Sequence, residues 1–296
     1  MLRKACRAAL LLPLLLVAPA SAQAPEAINV VLWPAGHPTL HGQDQTETHT
    51  FYREGPARSI NRVTNVHNPS FDLFLPPADK NTGAVLLVLC GGGHESIGYG
   101  PEGVELAEWM NPRGVAVAVL RYRLARTPGF NYSVEGETLL DTQRSVRILR
   151  QRAAEWRLNP ERIGVVGWSA GGAPAALINQ RFDRGKADAE DAVEQVSSQP
   201  DFVCIIFGGW RRFEGPAPMD AAPMFLTSAG IDDTGGAGSC VSTYKHFFQS
   251  NVPVELHIYA HGRHAGGIRP RGGIPFGTWH HRFHEWMADL GMLKTE

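Results

Sequence analysis

The stretch "VVGWSAGG", residues 165–172, sets one serine between two glycines, Gly167-Trp168-Ser169-Ala170-Gly171. An apolar run, "RIGVVG", leads into it, and "APAALINQ" (173–180) follows as a helix. A phosphate-binding loop needs Gly-Lys-Ser/Thr so that the lysine can reach the phosphates, and none follows here. A plain strand-to-helix turn accounts for one glycine but not for two around a serine. A serine on a sharp elbow needs small neighbours on both sides, because the backbone crowds itself there. The helix beyond it aims the positive end of its dipole at the turn. The stretch therefore reads as an elbow that presents Ser169 as a nucleophile.

A serine hydroxyl attacks poorly unless a histidine takes its proton and an acid orients that histidine. On a sheet of this kind the chain order is serine, acid, histidine. "FLTSAGIDDTGG" (225–236) supplies Asp232 and Asp233, and "ELHIYAHGRHAGG" (255–267) supplies His257, His261 and His264. His264 sits in a glycine-flanked loop and is the expected base, with His261 in reserve. His257 falls inside a strand and reads as a packed or surface residue. The negative oxygen that forms on attack needs two backbone N–H donors. Ala170, just after the serine, offers one. "CGGGH" (90–94), at the end of an earlier strand, offers the other from its glycines, Gly92 or Gly93, where the backbone can approach a ligand closely.

The surrounding pattern supports a strand-and-helix alternation. "FDLFL" (71–75), "AVLLVLC" (84–90), "VAVAVLRY" (115–122), "FVCIIF" (202–207), "PMFLTSA" (223–229) and "VELHIYA" (254–260) are short β-rich runs. Helical spacing appears in "EGVELAEWM" (102–110), over 137–156 until Asn159-Pro160 stops it, near 240–250 and over 278–291. Residues 25–70 read as an irregular lead-in with short strands, and 183–200 as a surface excursion. Continuously apolar strands alternating with helices predict an α/β domain whose mostly parallel sheet is covered on both faces.

Arg3, Lys4 and Arg7 precede an apolar run from Ala8 to Ala20 and then "SAQA", which is the pattern of a secretory signal peptide cleaved after Ala24 or Ala22. About 270 residues then remain, expected as one domain over 25–296. A net charge of −1 argues against a nucleic-acid binder, and the remaining apolar runs are too short to span a membrane. With Cys6 removed, Cys90, Cys204 and Cys240 remain, so one disulfide at most forms within the chain. Cys204 and Cys240 are the possible pair, although Cys204 lies in a strand expected to be buried. Among the 12 histidines, His280 and His284 are four apart on a helix, a feasible metal pair, but no Glu or Cys completes a signature. No metal and no cofactor are expected. Asp141 reads as a structural hydrogen-bonding residue rather than a second catalytic acid.

On these residues the chain resembles the α/β-hydrolase family, and more narrowly the secreted bacterial carbohydrate esterases of the acetylxylan esterase-like and feruloyl esterase-like kind. The resemblance runs through "LWPAGHP", "CGGGH", "EGVELAEWMNPRGVAVAVLRYRL", "DTQRSVRILRQRAAEWRLNPERIGVVGWSAGG", "SSQPDF" and "ELHIYAHGRHAGG". It implies Ser169 as nucleophile, His264 as base and Asp233, rather than Asp232, as acid. The family's Val-Pro pair after the acid is replaced here by "DDTGGAGS", and Cys90 and His94 replace a proline and an aromatic residue. His94, and Trp210 and Arg211 in the unusual run "FGGWRRFEG" (207–215), become candidate substrate contacts. The implied activity is deacetylation of a plant cell-wall polysaccharide such as xylan, through an acyl-enzyme. Feruloyl esterase and exopeptidase are the enzymatic alternatives. A non-catalytic carbohydrate-binding homologue, using Trp210 and Trp279, is the alternative of another class. Only short excursions are available to cover the site, so an open pocket is expected.

Overall fold

The computed structural model describes residues 27–51, 60–230, 234–264, 267–268 and 275–294. The proposed signal segment lies outside them. The described residues form ten strands: β1 (Ile28–Val31), β2 (Thr48–Phe51), β3 (Ile60–Thr64), β4 (Ser70–Phe74), β5 (Val85–Leu89), β6 (Ala116–Arg121), β7 (Ile163–Trp168), β8 (Phe202–Ile206), β9 (Met224–Ala229) and β10 (Val254–Tyr259). The helices are α1 (Glu105–Met110), α2 (Leu139–Gln151), α3 (Gly172–Arg181), α4 (Gly236–Gln249) and α5 (Trp279–Asp289).

Eight strands form one sheet in the order β1-β4-β6-β5-β7-β8-β9-β10, while β2 and β3 pair separately. From β6 to β10 every neighbour is parallel. Strands β5, β7, β8 and β9 are buried along their whole length, as expected for strands covered on both faces. Strand β4 runs antiparallel to both its neighbours, β1 and β6, and is the strand that opposes the common direction of the sheet. Among the described residues no helix lies between β4 and β5 in the chain, so β4 lacks the covered crossover that parallel pairing needs.

The order reverses at β5, which has β6 on one side and β7 on the other. Right-handed crossovers then put α1 on one face and α2 and α3 on the other. Helix α5 joins α1, where the Trp109 ring meets His280, His281 and His284 edge-on, with centroids 4.6, 5.2 and 5.7 Å away. The His280–His284 pair thus serves helix packing. Among the described residues no cluster of three or more His, Cys, Asp or Glu is placed to hold a metal ion. None of their helices is long and apolar enough to cross a membrane. Cys90, Cys204 and Cys240 are all buried free thiols, so Cys204 and Cys240 are not paired.

The helix expected over 137–156 is shorter. Helix α2 ends at Gln151, a separate 3-10 turn covers Ala153–Trp156, and Arg157 closes it in the left-handed region at φ 54°. The Leu158 N–H turns back to the Ala153 carbonyl at 2.8 Å, and Asn81 Nδ2 donates to the Arg157 carbonyl at 2.8 Å. The α-helix therefore closes at Gln151, before Asn159-Pro160 is reached, and these hydrogen bonds hold the 3-10 turn that follows it.

Asp141, in the first turn of α2, is fully buried. It accepts from Arg123 Nε at 3.0 Å, Arg123 Nη2 at 2.7 Å, the Arg123 N–H at 3.0 Å and Trp33 Nε1 at 3.0 Å. This network ties the lead-in segment and the end of β6 to α2, which confirms the structural reading of Asp141. At the far edge of the sheet, Arg282 of α5 donates from Nε and Nη2 to both carboxylate oxygens of Glu255 on β10, at 2.8 and 2.9 Å, and His257 Nε2 lies 2.6 Å from the same carboxylate.

Removing one member of a buried ion pair strands the other in a dry interior. Asp141→Ala is expected to lower the unfolding free energy by about 3–5 kcal/mol, read from urea denaturation at neutral pH. A loss below about 1 kcal/mol would show that the network is not stabilising.

Candidate active site

Strands β5 and β7 lie side by side, with Leu89 opposite Gly167, so the segments that leave them emerge together at the carboxyl end of the sheet. That is the crevice in which open α/β sheets place ligands. Ser169 follows β7 with φ 50°, a left-handed conformation that a serine adopts only under constraint. The constraint is close packing on both sides. A Cβ on Gly167 would come 2.5 Å from the Gly171 carbonyl oxygen, and one on Gly171 would come 2.0 Å from that of Leu89. Two glycines are needed because the elbow presses against itself and against β5. Helix α3 begins immediately afterwards.

Ser169 Oγ lies 2.6 Å from His264 Nε2. The other ring nitrogen, Nδ1, lies 2.5 Å from Thr234 Oγ1. The Phe207 ring packs on the imidazole, with centroids 4.5 Å apart. Asp232 and Asp233 lie outside the described residues, immediately before Thr234 in the chain. His261 is exposed. His257 is tied up with Glu255 on β10, away from the serine.

The 90–94 loop backs onto the serine: a Cβ on Gly91 would stand 2.7 Å from Ser169 Cβ. Gly92, Gly93 and His94 all have positive φ, at 142°, 68° and 63°. A Cβ on Gly92 would come 2.1 Å from the Ser96 carbonyl oxygen, so only glycine fits this turn. The loop has two anchors. Tyr122 Oη donates to the Cys90 carbonyl at 2.6 Å, and the Gly91 N–H donates to Glu102 Oε2 at 2.5 Å. Glu102 is 8% exposed. Burial pushes its carboxyl up to about 7, against the opposing pull of the Gly91 N–H and of the Arg62 guanidinium.

Ser169, Ala170, Gly92, Gly93, His94, Trp210 and His264 all line one cleft of about 700 Å³. His94 Nδ1 is buried with no hydrogen-bond partner among the described residues. Burial, reinforced by Arg126, holds the His94 ring down to about 4, so it is neutral at physiological pH. Trp210 is fixed by its N–H on Thr243 Oγ1 at 3.0 Å and by its indole Nε1 on the Arg212 carbonyl at 2.9 Å. Trp279 is buried against Trp168 and does not reach the cleft surface. Glu102, Thr234 and Phe207 escaped the sequence reading. Of the arginines around the cleft, Arg211 had been picked out beside Trp210, while Arg62, Arg126 and Arg212 had not.

With this geometry in hand, the likenesses to known proteins can be placed. The BD-FAE family model matches residues 71–208, from β4 to just beyond β8. The chain is 26% identical to an acetylxylan esterase of Xylanibacter ruminicola over 239 residues, 74% of this chain and 46% of the relative. It therefore spans about half the length of the curated relative it matches. Among solved structures, an acetyl ester-xyloside bifunctional hydrolase from Caldicellulosiruptor lactoaceticus is similar with a TM-score of 0.71 and 24% identity, over 93% of this chain and 100% of that one. A butyrate-bound esterase from Thermogutta terrifontis gives 0.61 and 20%, over 77% and 92%. An alpha/beta hydrolase from a Medee basin deep-sea metagenome library gives 0.58 and 17%, over 83% and 98%. The fold is that of the α/β hydrolases.

Glu102 gives this site a pH signature. Its folded-state pKa is raised, so the folded protein holds that proton more tightly than the unfolded chain does. The associated stability is complete below about 4.5, is lost as pH rises towards about 7, and stays lost above. At 1.4 kcal/mol per unit the loss is about 3 kcal/mol. Glu102→Gln keeps an acceptor for Gly91 and removes the titration. The variant is expected to melt at higher temperature than the parent at pH 8 and at a similar temperature at pH 4, by scanning calorimetry. A difference that does not change with pH would refute this role for the carboxyl.

Proposed function

We propose that the protein is an exported serine esterase, a single catalytic domain over 25–296, that removes acetyl groups from plant cell-wall polysaccharide such as xylan. The observation that carries the chemistry is the 2.6 Å contact between Ser169 Oγ, held at a left-handed elbow, and His264 Nε2. With Nε2 accepting from the serine, Nδ1 carries the other proton and donates it to Thr234 Oγ1. Asp233 steadies the imidazolium that forms.

Ser169 Oγ attacks the ester carbonyl carbon as its proton passes to His264 Nε2. The carbonyl oxygen becomes negative and is held by the Ala170 N–H and by the N–H of Gly92 or Gly93. The Gly91 N–H is committed to Glu102, which favours the next two glycines for this task. The tetrahedral intermediate collapses, the ester C–O bond breaks, and His264 returns its proton to the departing alcohol. Water then attacks the acyl-serine as its proton passes to His264; the bond between the acyl carbon and Ser169 Oγ breaks, His264 returns the proton to Oγ, and the acid is released. No cofactor takes part. The acetyl and xylan assignment is supported by the similarity to the Xylanibacter ruminicola acetylxylan esterase, and export by the basic and then apolar pattern of residues 1–24. His94 and Trp210 are the substrate contacts in this reading.

Purified protein is expected to release acetate from acetylated xylan, and Ser169→Ala to lower kcat at least about 10⁴-fold. Release of ferulate from feruloylated arabinoxylan in place of acetate would keep the mechanism and change the acyl group. A parent protein inert on both and on p-nitrophenyl acetate would refute the esterase reading.

A further inference from the structure

The cleft is lined by Arg62, Arg126, Arg211 and Arg212, while the whole chain has a net charge of −1. Among its described lining residues the only carboxylate is Glu102, buried behind the glycine loop and engaged by the Gly91 N–H. Arg62 donates to Ser96 Oγ at 2.9 Å. Arg211 donates to Ser239 Oγ at 3.0 Å and to the Gly235 carbonyl at 2.6 Å, so neutral acceptors orient its charge without cancelling it. Arg212 is exposed, has its guanidinium 5.8 Å from the Trp210 ring centre, and makes no ion pair among the described residues. Arg126 reaches only Glu95, at 3.4 Å, with both side chains about two-thirds exposed, a pair of the kind that contributes little. Elsewhere the chain pairs its arginines closely, as with Arg123, Arg144, Arg150 and Arg282.

Arginines that no described carboxylate pairs closely, set around a concave site, favour anionic ligands, and the planar guanidinium suits a carboxylate above all. The four come from three separated segments: β3, the turn after β6 and the loop after β8. Their field therefore covers the cleft more widely than a short acyl chain beside Ser169 would need. We propose that the ester accepted here is carried on an acidic saccharide, with a uronic-acid carboxylate met by the arginines of the cleft. This rests on the esterase reading for the chemistry but not for the recognition.

Binding to Ser169→Ala separates the two. Titration calorimetry would compare a glucuronic-acid-branched xylotriose with unbranched xylotriose. The acidic sugar is expected to bind at least about tenfold more tightly in ~0.05 M salt, and the preference to shrink in ~0.5 M salt. The double variant Arg126→Gln/Arg212→Gln, built on two exposed side chains, is expected to lose most of that preference while melting within about 2 °C of its parent. Equal binding of the two sugars overturns the inference, and so does a preference that survives both salt and the double variant. A second arm, hydrolysis of p-nitrophenyl succinate against p-nitrophenyl butyrate by the parent protein, locates the anion. A strong preference for succinate with no preference between the sugars puts the carboxylate on the acyl group and overturns the saccharide assignment. An acidic-sugar preference in a protein that hydrolyses no ester upholds the recognition and removes the esterase reading alone.

Discussion

Everything at this site depends on one contact between two strands. Leu89 of β5 and Gly167 of β7 are paired in parallel register, so the glycine loop and the serine elbow leave the sheet against each other. The closeness is measured by Gly171, whose missing side chain would occupy the space of the Leu89 carbonyl oxygen. A substituent there must push β5 away from the elbow, and the 90–94 loop would move with it. Because the order reverses at β5, the segments that carry the proposed catalytic residues converge at the carboxyl end of the sheet.

Behind that contact lies a less obvious dependence. Three consecutive residues with positive φ do not hold their shape unaided. Tyr122 from the end of β6 grips one end of the turn through the Cys90 carbonyl, and Glu102 grips the next residue through the Gly91 N–H. An ionisable group in a dry place lowers stability. Here it fixes the direction in which the neighbouring N–H groups point, which is the property a negative oxygen requires.

The legible parts of the site were those whose chemistry is written locally. Two glycines around Ser169, three in a row at 91–93 and a glycine-flanked His264 each announce a backbone conformation within a few residues. The sheet was legible for the same reason, since β5, β7 and β8 are apolar throughout and β9 is so but for Thr227 and Ser228. The early end of α2 was not legible, because the 3-10 turn that replaces its expected last turn is followed by hydrogen bonds to Asn81 and Gly83, some 75 residues earlier in the chain. Nor was the antiparallel edge, which depends on which connections lack a helix. Glu102 looked like one more acidic residue at the start of a helix, and only the fold turns it towards Gly91. The arginines are farther still from legibility: Arg62 and Arg212 meet at one cleft across 150 positions of sequence. Thr234 follows directly on the two aspartates that drew attention and was passed over for them.

The far margin of the sheet has a consequence of its own. Among the described residues strand β10 ends the array, and an edge strand of this kind can template pairing with another molecule. Glu255 and His257 project from this strand, and Arg282 reaches over from α5 to grip the carboxylate from both oxygens. An incoming strand would have to desolvate or break that charged clasp before it could add to the sheet. The clasp thus acts as a guard against aggregation, which matters most when many copies crowd together.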